Sequence, residues 1–199
     1  MKRYILMLFA SAAIIGCKDN PISKKIKETS EKVSNTTKAA NELTKMQDDI
    51  LELQEIEPLT NDELKALLPE EIKGMKRISY NAGAAAMMQV SSIQASYANE
   101  DKSKKFSIQL IDGAGPVGAT ATSPFRLAFS QDFEEEDEKG FKRTVTKNGK
   151  KAVEEHRTDR NYSQVQFMEG NRFYVKSEGE NMDLDETWDA VLKINFKNL

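Results

Sequence analysis

Asn148-Gly149 separates two short runs of mixed polar and apolar residues, Phe141–Thr146 and Lys151–Arg157. Asn-Gly accepts the positive φ that both central residues of a type I′ turn require, and that turn suits the twist of paired strands. The two runs are therefore read as one antiparallel hairpin. A second turn at Glu169-Gly170-Asn171 joins Tyr162–Met168 to Arg172–Ser177. Further upstream, Ile93, Ala95 and Tyr97 share one face of a strand, and Phe106, Ile108 and Leu110 share one face of the next. The expected class is α+β: an antiparallel sheet of about six to seven strands flanked by short helices.

Helix signals sit at both ends of this strand-rich region. Thr60-Asn61-Asp62-Glu63 spells a capping box, followed by Leu64, Leu67 and Leu68. Asp183-Leu184-Asp185-Glu186 has the same D-x-x-E logic, and Leu184, Trp188, Val191 and Leu192 form an apolar stripe behind it. Before Pro58 the composition changes. Pro21–Glu57 has no glycine and no aromatic residue, and is dense in Lys, Glu, Ser and Thr. Ile22, Ile26, Thr29, Val33, Thr36, Ala40, Leu43, Gln47 and Ile50 alternate in spacings of four and three, a heptad stripe with weak members. A helical or disordered stalk over residues 17–57 and a globular domain over residues 58–199 follow.

The first twenty residues read MKRYILMLFASAAIIGCKDN. Lys2 and Arg3 precede an uncharged run, Tyr4–Ile15, which at 1.5 Å per residue is too short to cross ~30 Å of hydrocarbon. It has the form of a signal-peptide core. Ile14-Ile15-Gly16-Cys17 resembles the lipobox of bacterial lipoproteins, in which aliphatic and small residues precede an obligatory cysteine. The resemblance covers about a tenth of the chain. It implies a signal peptide over residues 1–16, diacylglycerol on the Cys17 thiol, and an acylated amine such as a palmitate amide at the new terminus. It also implies a membrane partner through that anchor. Lys18, in place of an aspartate, favours the outer membrane by the same likeness. Cys17 is the only cysteine, so neither an internal disulfide nor a thiolate metal cluster is expected.

Several motifs are weighed and set aside. Gly113-Ala114-Gly115-Pro116-Val117-Gly118 has the G-x-G-x-x-G spacing of a dinucleotide turn. Its neighbouring strands read as antiparallel, Ser123-Pro124 is expected to end any helix early, and Asp132–Glu138 reads as a charged loop where a strand should follow. A strand-to-helix turn without nucleotide cofactor is expected. His156 is the only histidine, and it reads as solvated or edge-packed, with no partner for a metal site. Loss of Lys2 and Arg3 takes the formal charge from −3 to −5, which argues against nucleic acid. No catalytic, metal or cofactor residue is assigned. The leading function is a non-catalytic envelope lipoprotein that binds a protein, polymer or small ligand; the alternative is a lipid-anchored hydrolase using carboxylates without assigned positions.

Overall fold

The computed structural model describes residues 41, 44–83 and 90–196. The signal segment, Cys17 and most of the stalk lie outside them. The chain divides into two units, Met1–Thr44 and Lys45–Leu199, and the second holds the sheet. This unit opens ahead of Pro58, with a helix (α1) over residues 45–54. The Leu53 side chain of α1 is buried, and Asp49 Oδ2 accepts from Asn171 Nδ2 at 3.2 Å.

Nine strands form one antiparallel sheet: β1 (Glu71–Ile72), β2 (Met75–Ala82), β3 (Ser92–Ala98), β4 (Lys105–Asp112), β5 (Glu134–Asp137), β6 (Gly140–Lys147), β7 (Lys150–Arg157), β8 (Tyr162–Glu169) and β9 (Phe173–Glu180). Their spatial order is β1-β2-β3-β4-β9-β8-β7-β6-β5. Two meanders therefore meet at the β4–β9 seam. Helices α2 (Asn61–Ala66), α3 (Gly115–Ser130) and α4 (Leu184–Val191) complete the unit. The class is α+β, with more strands than the six to seven expected.

The two additional strands are β1 and β5. β1 has only two residues, too few to show alternation. β5 is Glu134-Glu135-Glu136-Asp137, all exposed, which reads as a loop because carboxylates are poor strand formers. Pairing rescues it: Glu134 lies opposite Arg143 and Glu135 opposite Lys142, so like charges in sequence meet unlike charges across the ladder. A charged row on an edge also discourages pairing with another chain.

One face of the sheet carries the main core. Ile93, Ala95 and Tyr97 of β3, Phe106, Ile108 and Leu110 of β4, Val165 and Phe167 of β8 and Val175 of β9 pack there against Leu64 of α2 and Trp188, Ala190 and Val191 of α4. Both capping boxes are formed. The Thr60 hydroxyl accepts from Glu63 N–H at 3.3 Å, and Asp183 Oδ1 accepts from Glu186 N–H at 2.7 Å. Leu192 departs from the expected stripe; it caps α4 at 45% exposure while Thr187 and Ala190 are buried.

On the opposite face, α3 covers a smaller cluster of Phe129, Val153 and Tyr174 with Phe125, Ile111 and Met168. The helix runs through Pro124 to Ser130, not ending at Ser123-Pro124. Hydroxyls support this unusual course by donating to carbonyls of the preceding turn: Thr120 to Pro116 O at 2.8 Å, Thr122 to Gly118 O at 2.9 Å and Ser123 to Ala119 O at 2.7 Å. Phe125 stacks on Tyr174 with centroids 3.8 Å apart and holds the C-terminal half to the sheet.

Candidate functional site

The Asn148-Gly149 turn sets the register of everything that matters here. Asn148 and Gly149 have φ of 54° and 72°, so the connection is the two-residue turn that the sequence suggested. Counting outward from it, Val145 faces Ala152, Arg143 faces Glu154 and Phe141 faces His156. All of these are on the sheet face shared with α4. Helix α4 lies mainly on β8 and β9, where Trp188 stacks on Phe167 at 5.7 Å. Beyond it, the hairpin and the first turn of α4 enclose an open cleft of about 530 Å³, lined by Phe141, Arg143, Val145, Glu154, His156 and Leu184 together with Thr146, Lys147, Asp183 and Asp185.

Glu154 is the deepest polar group of the cleft. It is only 4% exposed, on a strand position where Ala152 two residues before is fully buried. Its Oε1 accepts from the Trp188 indole N–H at 2.6 Å. Its Oε2 has Arg143 Nη2 at 3.7 Å, an ion-pair distance but longer than a hydrogen bond. The Arg143 guanidinium is held over the Phe141 ring, 4.4 Å from its centroid, and its buried Nε has no hydrogen-bond partner. His156 lies tilted against the same ring at 6.1 Å, and its buried Nδ1 is also without a partner. Most buried polar atoms in folded proteins are paired, so these groups converging in one cleft need a reason.

The other carboxylates of the cleft have structural partners. Asp183 caps α4, and Asp185 Oδ1 accepts from Lys147 Nζ at 2.7 Å. Among the described residues no group of three or more His, Cys, Asp or Glu side chains could hold a metal ion, and no helix is long and apolar enough to cross a membrane. The lining contains no cysteine and no serine; its one hydroxyl is Thr146.

The positions singled out in the sequence go to different places. His156 is in the cleft, half-buried, on the inner strand β7 flanked by β6 and β8 and so not at a sheet edge. Asp132 and Asp137 of the acidic run form ion pairs with Lys151 at 2.8 Å and Arg157 at 3.1 Å. Gly113–Gly118 is the turn between β4 and α3, and β4 is antiparallel to both its neighbours, so no parallel βαβ unit exists around it. The amide that opens α3 is already taken: Ala114 N–H donates to Asp112 Oδ1 at 3.0 Å. At Gly115, whose φ is +73°, an added Cβ would come within 3.0 Å of Pro58 Cγ. A buried side-chain carboxylate thus takes the amide at the helix cap, and Pro58 packs against Gly115.

Sequence reasoning passed over Arg143 and Glu154. A signal for them existed, since a carboxylate at the inward parity of an apolar strand is costly unless paired, and the two-residue turn sets Arg143 opposite it. No protein-family model, curated protein or solved structure matches this chain at a significant level.

Proposed function

We propose that this chain is a lipid-anchored protein of the bacterial envelope, held at the outer membrane through Cys17. Its folded unit is a non-catalytic binding module with the β6–β7 cleft as its ligand seat. The anchor rests on the order of basic start, apolar run and Ile14-Ile15-Gly16-Cys17. Two or three acyl chains hold a protein firmly where one holds it only transiently, because each buried CH₂ contributes ~0.8 kcal/mol.

The observation that carries the binding role is Glu154 with Arg143 and His156: a buried carboxylate short of hydrogen bonds and two side chains that each keep a buried nitrogen unpartnered, all lining one cleft. A hydrolase of the carboxylate-pair kind, as for glycosides, would need two carboxylates free to face each other across the substrate. Asp183 is committed to its helix and Asp185 to Lys147.

The anchor is tested by replacing Cys17 with Ser and labelling cells with a palmitate analogue. The expected result is loss of label and accumulation of precursor or soluble protein. A labelled, membrane-bound Cys17→Ser variant would refute it.

A further inference from the structure

We propose that the cleft recognises a secondary amide next to an apolar side chain, as found in an acylated amino acid or short peptide. This rests on the binding-module reading and specifies its ligand. Two side chains, Glu154 and Arg143, define the recognition. Glu154 Oε2 is an acceptor without a hydrogen bond, 3.7 Å from Arg143 Nη2. The donor is the Arg143 guanidinium, whose side chain is 41% exposed although its Nε is buried, and which is kept in orientation by its 4.4 Å contact with Phe141. His156, with its Nδ1 buried, lines the cleft from the strand position opposite Phe141. An amide supplies the complement: its N–H donates to Glu154 Oε2, and its C=O accepts from the outer N–H groups of the Arg143 guanidinium. Val145 and Leu184 provide apolar lining for the adjacent side chain.

Charge and ring geometry select this class over its rivals. The lining holds two cations, Arg143 and Lys147, against three acids, Glu154, Asp183 and Asp185. That balance disfavours a phosphate or a free carboxylate and suits a neutral group. An N-acetylated sugar also carries an amide, but sugars gain from an aromatic face to lie on. Phe141 has the Arg143 guanidinium over its ring and His156 tilted against it. A peptide amide needs no such platform.

Trp188 is the chain's only tryptophan, and its indole N–H is bonded to Glu154, so one resonance reports the site. The experiment titrates N-acetyl-leucine amide into the full-length protein in detergent and follows the ¹H–¹⁵N signal of that indole. A saturable shift is expected, with none from N-acetylglucosamine or inorganic phosphate. Glu154→Gln keeps an acceptor for Trp188 but puts a donor where the ligand needs an acceptor, and should weaken binding about tenfold or more. Arg143→Lys removes the planar guanidinium at a side chain that is 41% exposed, should weaken binding by a similar factor, and serves if Glu154→Gln fails to fold. No shift with the amide, unchanged affinity in the variants, or saturation by N-acetylglucosamine or phosphate instead would each overturn the proposal. Release of acetate or ammonia from the probe during the titration would refute the non-catalytic reading while leaving amide recognition standing.

Discussion

Asp112 and Glu154 are both buried carboxylates beside an arginine, yet their surroundings differ in kind. Asp112 is fully buried, and each of its oxygens accepts two hydrogen bonds: Oδ1 from Arg172 Nε at 2.7 Å and Ala114 N at 3.0 Å, Oδ2 from Arg172 Nη2 at 2.7 Å and Leu59 N at 2.8 Å. Those donors come from the β8–β9 turn, the start of α3 and the segment before α2, so one carboxylate ties three chain segments together. Glu154 has one close hydrogen bond and one long ion pair, and a cleft beside it. A saturated buried ion is a structural joint. An under-coordinated one next to open space is poised for a ligand, because a partner there gains bonds that the fold leaves unmade.

The sharpest way to break this contrast is to remove the joint. Asp112→Ala leaves the Arg172 guanidinium without its counter-ion and the Leu59 and Ala114 amides without their acceptor, and should cost roughly 3–5 kcal/mol in urea unfolding. A loss below about 1 kcal/mol would mean that the network holds little together.

The next largest effect concerns the chain leading into the same joint. Arg172 Nη2 donates to Glu57 O at 3.3 Å and Leu53 is buried, so residues 45–57 pack against this pole of the sheet. Deleting residues 18–57 should keep a cooperative transition but lower stability by about 2–3 kcal/mol, the worth of one buried leucine and a few polar contacts. An unchanged melting temperature would show that α1 is a passenger.

Alkaline pH sharpens the comparison further. Burial, with a smaller contribution from Glu178, pushes the Tyr174 hydroxyl up to about 12, and burial followed by Glu178 raises Tyr162 as well. Both favour the neutral form in the folded state. Their contribution is therefore complete below the unfolded value near 10 and declines as pH rises from there towards about 12. Melting temperature should fall across that window, less in Tyr174→Phe than in the parent protein. An identical fall in the variant would remove Tyr174 as its source.

How far these features could be read from the chain depends on the range of the interaction. Local ones were legible: the Asn148-Gly149 turn, the Thr60–Glu63 and Asp183–Glu186 boxes, and the parity of Phe106, Ile108 and Leu110 all act over a few residues. β5 was hidden because its stability comes from Lys142 and Arg143 across the ladder, not from its own carboxylates. The passage of α3 through Pro124 was hidden because hydroxyl bonds and Phe125 packing override a local breaker. Cleft and joint differ in the same way. Arg143 and Glu154 are related through one two-residue turn, so their meeting was derivable. Asp112 and Arg172 are 60 residues apart and meet only because β9 inserts beside β4, a choice of strand order that no local pattern announces.

The most direct measurement is urea unfolding of Glu154→Gln set beside Asp112→Asn, the same isosteric change at both carboxylates. Glutamine keeps an acceptor for the Trp188 indole and loses only the long ion pair with a partly exposed arginine, so Glu154→Gln should unfold within about 1 kcal/mol of the parent. Asparagine turns one fully used oxygen into a donor facing donors and leaves the Arg172 charge without its counter-ion, so Asp112→Asn should lose about 3 kcal/mol or more. Equal losses at the two sites would contradict the division into joint and ligand seat.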